Sequence, residues 1–151
     1  MAIDIGFDWK QKFESENAVM NQLQSINDDL EGAVSAELDA VMQKVLAAAI
    51  DLCPKDTGAL ASSINLEGGA ISAGSDFYEA NIYAGSEDVI NPKTFVPTSQ
   101  YAMLVHDGHV SRDGKTMYEG VPFLTEALLM YEEELENAVG KAMQELLRGS
   151  D

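Results

Sequence analysis

Two histidines and an aspartate lie close together in the sequence, at His106-Asp107-Gly108-His109. Imidazole nitrogens and carboxylate oxygens are common zinc ligands, and a structural zinc site needs four ligands. The side chains of neighbouring residues on a turn diverge, and the sequence contains no third histidine. The segment therefore predicts a turn and no metal site. A metal bound with acidic ligands from elsewhere in the chain is the alternative.

The run Glu132-Glu133-Glu134 is a second candidate for chemistry, because paired carboxylates can perform acid–base catalysis. Consecutive helix residues point in different directions, however, so the run predicts a solvated helix face. Asp56 and Thr57 offer a carboxylate and a hydroxyl, but the sequence positions no general base beside the hydroxyl. We therefore expect no catalytic residue, no cofactor and no enzymatic activity.

The charge of the chain limits its ligands. The sequence has 26 acidic and 9 basic residues, a formal net charge of −17, and its basic residues are scattered. Such a surface repels phosphate backbones, which argues against tight binding of nucleic acid. Aromatic residues that could stack on bases are therefore assigned to the core and to interfaces; they are Phe77, Tyr78, Tyr83, Phe95 and Tyr101. Solubility alone would also account for the acidic composition.

Size and apolar content predict one domain over residues 1–151, since a chain of 151 residues with 46% hydrophobic residues can bury one core. The single cysteine, Cys53, excludes an internal disulfide and is expected to be a buried apolar residue in a reducing compartment. The longest apolar run, at 45–50, is too short to span a bilayer, and residues 1–6 lack the pattern of a secretory signal. No membrane association is expected.

The first half of the chain predicts a short strand at 3–5 and two helices. Asp8 can cap a helix that contains Trp9, Phe13, Met20 and Leu23. From Asp28 or Asp29, apolar residues recur at three- or four-residue spacing on one helical face; they are Leu30, Val34, Leu38, Val41, Val45, Ala49 and Leu52. This helix should end before Pro54, which lacks an amide hydrogen and disfavours helical geometry in the residue before it.

A corner follows at 54–64. Asp56 and Thr57 favour turns, Gly58 can adopt a positive φ, and Leu60 and Ile64 supply apolar anchors. Strands are predicted at 63–66 and 77–83, with turns at Gly68-Gly69 and at Gly74-Ser75 and a possible strand at 70–73 between them.

The second half begins with a loop at 85–99 that contains a possible strand at 94–96. A helical turn is predicted at 101–105 and an exposed loop at 107–120. Pro122 suits the first turn of one last helix, which Gly149 can end; its apolar face consists of Leu124, Leu128, Tyr131, Leu135, Ala138, Ala142 and Leu146. The predicted fold is α+β, with a long N-terminal helical region and a C-terminal helix packed on a small antiparallel sheet.

Three short motifs occur in a fixed order along these elements. The first consists of Pro54, Asp56, Thr57, Gly58, Leu60, Ser63 and Ile64. The second consists of Tyr101, Ala102, Val105 and Gly108, and the third of Pro122, Phe123 and Leu124. This order resembles the neck or tail-completion family of tailed bacteriophages. One position departs from the family pattern, because members usually carry Glu before the glycine of the second motif, where this chain has Asp107.

The resemblance implies a structural protein of the virion, assembled in the host cytoplasm and located in the neck or at the head-proximal end of the tail. It implies a hexameric ring that joins or completes the head connector and the tail tube and lets DNA pass. The implied partners are other copies of the chain, the connector or stopper, and the tail terminator or tail tube proteins. The alternative is a small acidic cytoplasmic adaptor with a basic protein partner.

Overall fold

The computed structural model describes residues 1–8, 27–71 and 77–149. The predicted helix after Asp8 and the predicted turn at Gly74-Ser75 lie outside the described residues. The described residues form an α+β fold, as the sequence predicts. The helices are α1 (Asn27–Leu52), α2 (Ala59–Ser62), α3 (Ala102–Asp107), α4 (Phe123–Met130) and α5 (Glu132–Gly149), and a 3₁₀ turn spans Thr98–Gln100. The strands are β1 (Ala2–Asp8), β2 (Asn65–Ile71), β3 (Phe77–Tyr83), β4 (Gly108–Val110) and β5 (Met117–Glu119).

The chain divides into two compact units. Unit 1 contains residues 1–3, 45–66 and 82–130, and unit 2 contains residues 4–44, 67–81 and 131–151. Helix α1 and strands β1, β2 and β3 each contribute residues to both units. The single domain stays a prediction.

Helix α1 confirms the prediction from apolar spacing. Its residues Val34, Leu38 and Val45 are almost completely buried. The amide of Cys53 still donates to the carbonyl of Ala49 (3.0 Å), and the helix ends there because Pro54 has no amide to donate. Cys53 is buried, as predicted, and burial raises the pKa of its thiol.

The corner after α1 is also confirmed. Gly58 has φ 82° and directly precedes the single turn of α2, where Leu60 is buried. The hydroxyl of Thr57 accepts a hydrogen bond from the amide of Ala59 (3.2 Å) and so satisfies one of the free amides at the start of α2. The predicted strand at 63–66 does not begin at Ser63. The amide and the hydroxyl of Ser63 both donate hydrogen bonds to carbonyls of α2.

The larger sheet has the strand order β1-β3-β2. Met1, which precedes β1, and Ala84, which follows β3, exchange backbone hydrogen bonds. This pattern makes β1 and β3 antiparallel. Strand β3 is confirmed over Phe77–Tyr83. The predicted turn at Gly68-Gly69 is wrong, because β2 runs through both glycines from Asn65 to Ile71. Glycine accepts extended geometry as readily as a turn, and pairing with β3 decides between them.

Two predictions for the loops need correction. Residues 94–96 do not form a strand. They belong to a turn in which the carbonyl of Asn91 accepts a hydrogen bond from the amide of Phe95 (2.8 Å). The side-chain oxygen of Asn91 accepts another from the amide of Lys93 (2.9 Å). Most of residues 107–120 are exposed, as predicted, but they contain an antiparallel hairpin, β4–β5, in which Val110 pairs with Met117.

The predicted last helix is two helices, α4 and α5, separated at Tyr131. The carbonyl of Pro122 accepts the amide of Glu126 (2.8 Å), so Pro122 opens α4 as expected. Glu132, Glu133 and Glu134 occupy the first turn of α5, where negative charge favours a helix N-terminus. The acidic run therefore marks a second helix start.

Candidate assembly surface

The three sequence motifs lie entirely within unit 1, and hydrogen bonds and close contacts join them. The first and second motifs meet at Gly85, whose amide donates to the hydroxyl of Ser63 (2.9 Å). A Cβ placed on Gly85 would lie 3.0 Å from the Cβ of Ala102 and 3.0 Å from the Cα of Ser99. The position therefore needs glycine for its close approach as well as for its φ of 97°.

The second and third motifs meet at the base of the hairpin, which we define as residues 108–119. The amide of Val121 donates to the carbonyl of Val105 (2.9 Å). A Cβ on Gly108 would lie 2.7 Å from the amide nitrogen of Gly120, and a Cβ on Gly120 would lie 2.5 Å from the amide nitrogen of Gly108. No side chain fits between these backbones, so the two ends of the hairpin are held against each other.

His106 completes this base. Its ring is buried and lies edge-on to the buried ring of Phe123, with the centroids 5.2 Å apart. Its Nδ1 atom is 2.6 Å from a carboxylate oxygen of Asp107. The hairpin is thus fixed to α3 on one side and to the start of α4 on the other.

The remaining motif residues surround this network. Leu60, Ile64 and Leu124 are buried in unit 1. Asp56 is exposed and pairs with Lys93 (2.7 Å). The other motif residues are half-buried or exposed in the same unit, namely Pro54, Thr57, Gly58, Tyr101 and Pro122. Their roles in assembly stay predictions.

The hairpin carries apolar side chains into solvent. Val110 and Met117 are cross-strand partners and are 55% and 80% exposed. His109 and Tyr118 form the next pair, with their rings stacked at 4.8 Å. In the connecting turn, the amide of Ser111 donates a hydrogen bond to the carbonyl of Thr116 (2.8 Å). The carboxylate of Asp113 accepts a hydrogen bond from the amide of Lys115 (3.0 Å). Hydrogen bonds from the Ser111 hydroxyl and from that amide lower the pKa of Asp113.

The large apolar side chains that are exposed, among those whose burial the structure describes, all belong to unit 1. They are Ile50, Ile90, Phe95, Met103, Leu104, Val110, Met117, Tyr118, Leu129 and Met130. Phe95 stands out because it is 80% exposed and has φ 60°, a conformation that costs a non-glycine residue energy. Aromatic and methionine side chains are enriched at protein–protein interfaces, so unit 1 has the character of a binding surface.

The two histidines that the sequence offers as metal ligands contact different aromatic rings. The ring of His106 packs on Phe123, whereas the ring of His109 stacks on Tyr118. Within the described residues, no group of three or more His, Cys, Asp or Glu side chains is placed to hold a metal ion.

In unit 2, Tyr78 and Asp39 form a polar pair in which both pKa values are raised. The buried hydroxyl of Tyr78 donates to a carboxylate oxygen of Asp39 (2.7 Å). Burial and this hydrogen bond both raise the pKa of Tyr78 well above its usual range. Burial also raises the pKa of Asp39, against the opposing effect of the hydrogen bond. The hydrogen bond satisfies both polar groups.

The sequence prediction missed the hairpin, although a signal for it exists. Asp113-Gly114 is a dipeptide typical of hairpin turns, it lies between Val110 and Met117-Tyr118, and Gly114 has φ 73°. The strands have only three residues each, which is too short for an apolar alternation to be recognised.

Unit 1 thus carries a hairpin that is held at its base and a loop, both with exposed apolar side chains, and such side chains are typical of protein-binding surfaces. The family model described as "Bacteriophage HK97-gp10, putative tail-component" matches residues 17–108 and so covers the first two motifs. The chain belongs to this family of phage tail components. It is therefore a structural protein of the virion that contacts other virion proteins.

No curated protein and no solved structure is significantly similar to the chain. None of the described helices is both long enough and apolar enough to cross a membrane.

Proposed function

We propose that the protein forms a hexameric ring in the neck of a tailed phage. There it joins or completes the head connector and the tail tube. The observation that carries the proposal is the network of motif residues in unit 1, which holds a hairpin and a loop in fixed positions with their apolar side chains uncovered. Exposed apolar patches commonly mark surfaces that bind a partner, which is what an assembly component requires.

The charge of the chain supports passage of DNA. With a net charge of −17, the wall of a ring would repel the phosphate backbone and would not retain it. DNA could then slide through the ring during packaging and ejection.

The loop at 85–99 and the hairpin supply the contacts with neighbouring copies, with the connector or stopper, and with the tail terminator or tail tube. Phe95 and Met117 are their most exposed apolar residues. Burial of such side chains on assembly contributes about 1.5–3 kcal/mol each. Several such contacts around a ring hold it in the particle without covalent links.

Disruption of the gene in the phage tests the proposal. We expect filled heads and separate tails to accumulate, or tails with a malformed upper end, while DNA replication and lysis proceed normally. A host that expresses the intact chain should restore joined particles, which is the control for effects on flanking genes. Electron microscopy of the lysates is the readout. Intact infectious particles that lack the protein would remove the neck assignment and favour the adaptor function.

A further inference from the structure

The hairpin has an uncovered surface on both faces. A two-stranded hairpin is at best marginally stable by itself in water. Its base is held by Gly108, Gly120 and the bond from Val121 to Val105. Towards the turn, Val110, Met117 and Tyr118 are more than half exposed. A partner that covers these side chains would stabilise the hairpin.

The turn of the hairpin carries two exposed positive charges, Arg112 and Lys115. Lys44 pairs with Glu134, Lys93 pairs with Asp56, and Lys141 pairs with Glu37. Lys55 donates to two backbone carbonyls. Arg112 and Lys115 make no ion pair with any residue that the structure describes, and both are exposed. In a chain with a net charge of −17, two unpaired cations beside exposed apolar residues indicate an acidic partner surface.

Another copy of the chain offers such a surface. Unit 1 has eight acidic and four basic residues, a net charge of −4, whereas unit 2 has 18 acidic and five basic residues, a net charge of −13. In unit 2, Glu132, Glu133 and Glu136 are exposed and have no partner among the described residues. Their spacing places them on one face of α5, whereas Glu134 bonds to Lys44 (2.9 Å).

We propose that the hairpin of one copy docks on the start of α5 of the next copy. Arg112 and Lys115 would pair with Glu132, Glu133 and Glu136, and the neighbouring chain would cover Val110 and Met117. Because the two surfaces differ, the contact is head-to-tail and generates a ring when the rotation closes. This inference rests on the proposed function and names the surface through which the copies associate.

Charge exchange tests the contact. A phage that lacks the gene is grown on hosts that express either Arg112→Glu/Lys115→Glu or Glu132→Lys/Glu133→Lys/Glu136→Lys. Each set places like charges opposite each other and should lower the plaque titre by at least about 100-fold, because loss of close charge pairs at an interface weakens it strongly. The two sets combined in one chain should restore the titre to within about tenfold of that of the intact chain, because opposite charges then face each other again.

Lys55→Glu is the control for negative charge added to unit 1 outside the hairpin and outside the loop at 85–99. The exposed Lys55 side chain donates only to two backbone carbonyls, so the variant should leave the titre unchanged. Thermal melts test whether each variant folds. Reduced titre of a variant that melts like the parent then reports on assembly.

The outcomes separate this contact from the proposed function. If the intact chain restores plaques and the charge-reversed hairpin does so too, the contact is refuted and the neck function stands. If the hairpin variant fails but the α5 variant does not, or if the combined variant fails, the hairpin binds a different virion protein and the contact between copies is refuted. If the phage needs no copy of the gene, the proposed function itself fails.

Discussion

The close approach of backbones at the base of the hairpin predicts a large effect of a single methyl group at Gly120. An added Cβ there would collide with the carbonyl carbon of Asp107, the nitrogen of Gly108 (2.5 Å) and the oxygen of His106 (2.6 Å). All three atoms belong to the backbone, so no side chain can rotate away. Overpacking costs typically 1–3 kcal/mol, and the rigid surroundings place Gly120→Ala at the upper end, about 3 kcal/mol.

This loss corresponds to a decrease in Tm of about 10 °C for a chain of this size. Gly140→Ala is the matched control, because it adds the same methyl group within α5 and meets no atom within 4 Å. Alanine is the better helix former by roughly 0.5–1 kcal/mol, so Gly140→Ala should raise the Tm by about 2 °C.

Amide hydrogen exchange locates the damage. In Gly120→Ala the amide of Val121, which bonds to the carbonyl of Val105 (2.9 Å), should lose protection. The amide of Cys53, which bonds to Ala49 (3.0 Å), should keep it until global unfolding. A Gly120→Ala protein with the Tm of the parent and a protected Val121 amide would refute the tight base of the hairpin.

Four further predictions concern the corner, a buried pair, metals and salt. Gly58→Val should destabilise the protein by on the order of 2–3 kcal/mol, because a β-branched residue is strained at φ 82° even though the surrounding space is open, and an unchanged unfolding midpoint would contradict this. The pKa of Tyr78 in the folded protein lies above its unfolded value near 10.0. The stability contributed by the neutral phenol is therefore fully present below the unfolded pKa and falls above the unfolded pKa by up to about 1.4 kcal/mol per pH unit. Urea titrations should show this loss in the parent but not in Tyr78→Phe, and equal alkaline slopes would contradict the prediction. Thermal melts with and without a chelator should coincide, whereas a large decrease with chelator would support a metal at His106, Asp107 and His109. Purified at low salt, the chain should sediment as a monomer or small oligomer because copies with a charge of −17 repel each other, and rings at low salt without the connector or tail would contradict this.

Much of the fold follows from local signals in the sequence. Apolar residues at helical spacing predict α1, and Pro54 ends it because proline lacks an amide. The positive φ of Gly58 follows from its place in a turn. These signals act within a few residues, so no knowledge of the remaining chain is needed to interpret them.

The order of the motifs also led from the sequence to the phage tail family, and the family match over residues 17–108 agrees with it. Each motif can be identified by residue type and spacing alone. Residue type and spacing do not reveal the contacts between the motifs. Ser63, Gly85 and Ala102 are distant in the chain, and only folding brings them together.

Tertiary contacts decided the features that local signals leave open. Gly68-Gly69 is compatible with a turn and with a strand, and pairing within the sheet selects the strand. The segment 107–120 contains the charged and small residues of a loop, yet its base is closed by Gly108 and Gly120 into a hairpin. Whether Phe95, Val110 and Met117 are buried or exposed depends on which surfaces the rest of the chain covers, and that is a property of the whole fold that no spacing along the sequence encodes.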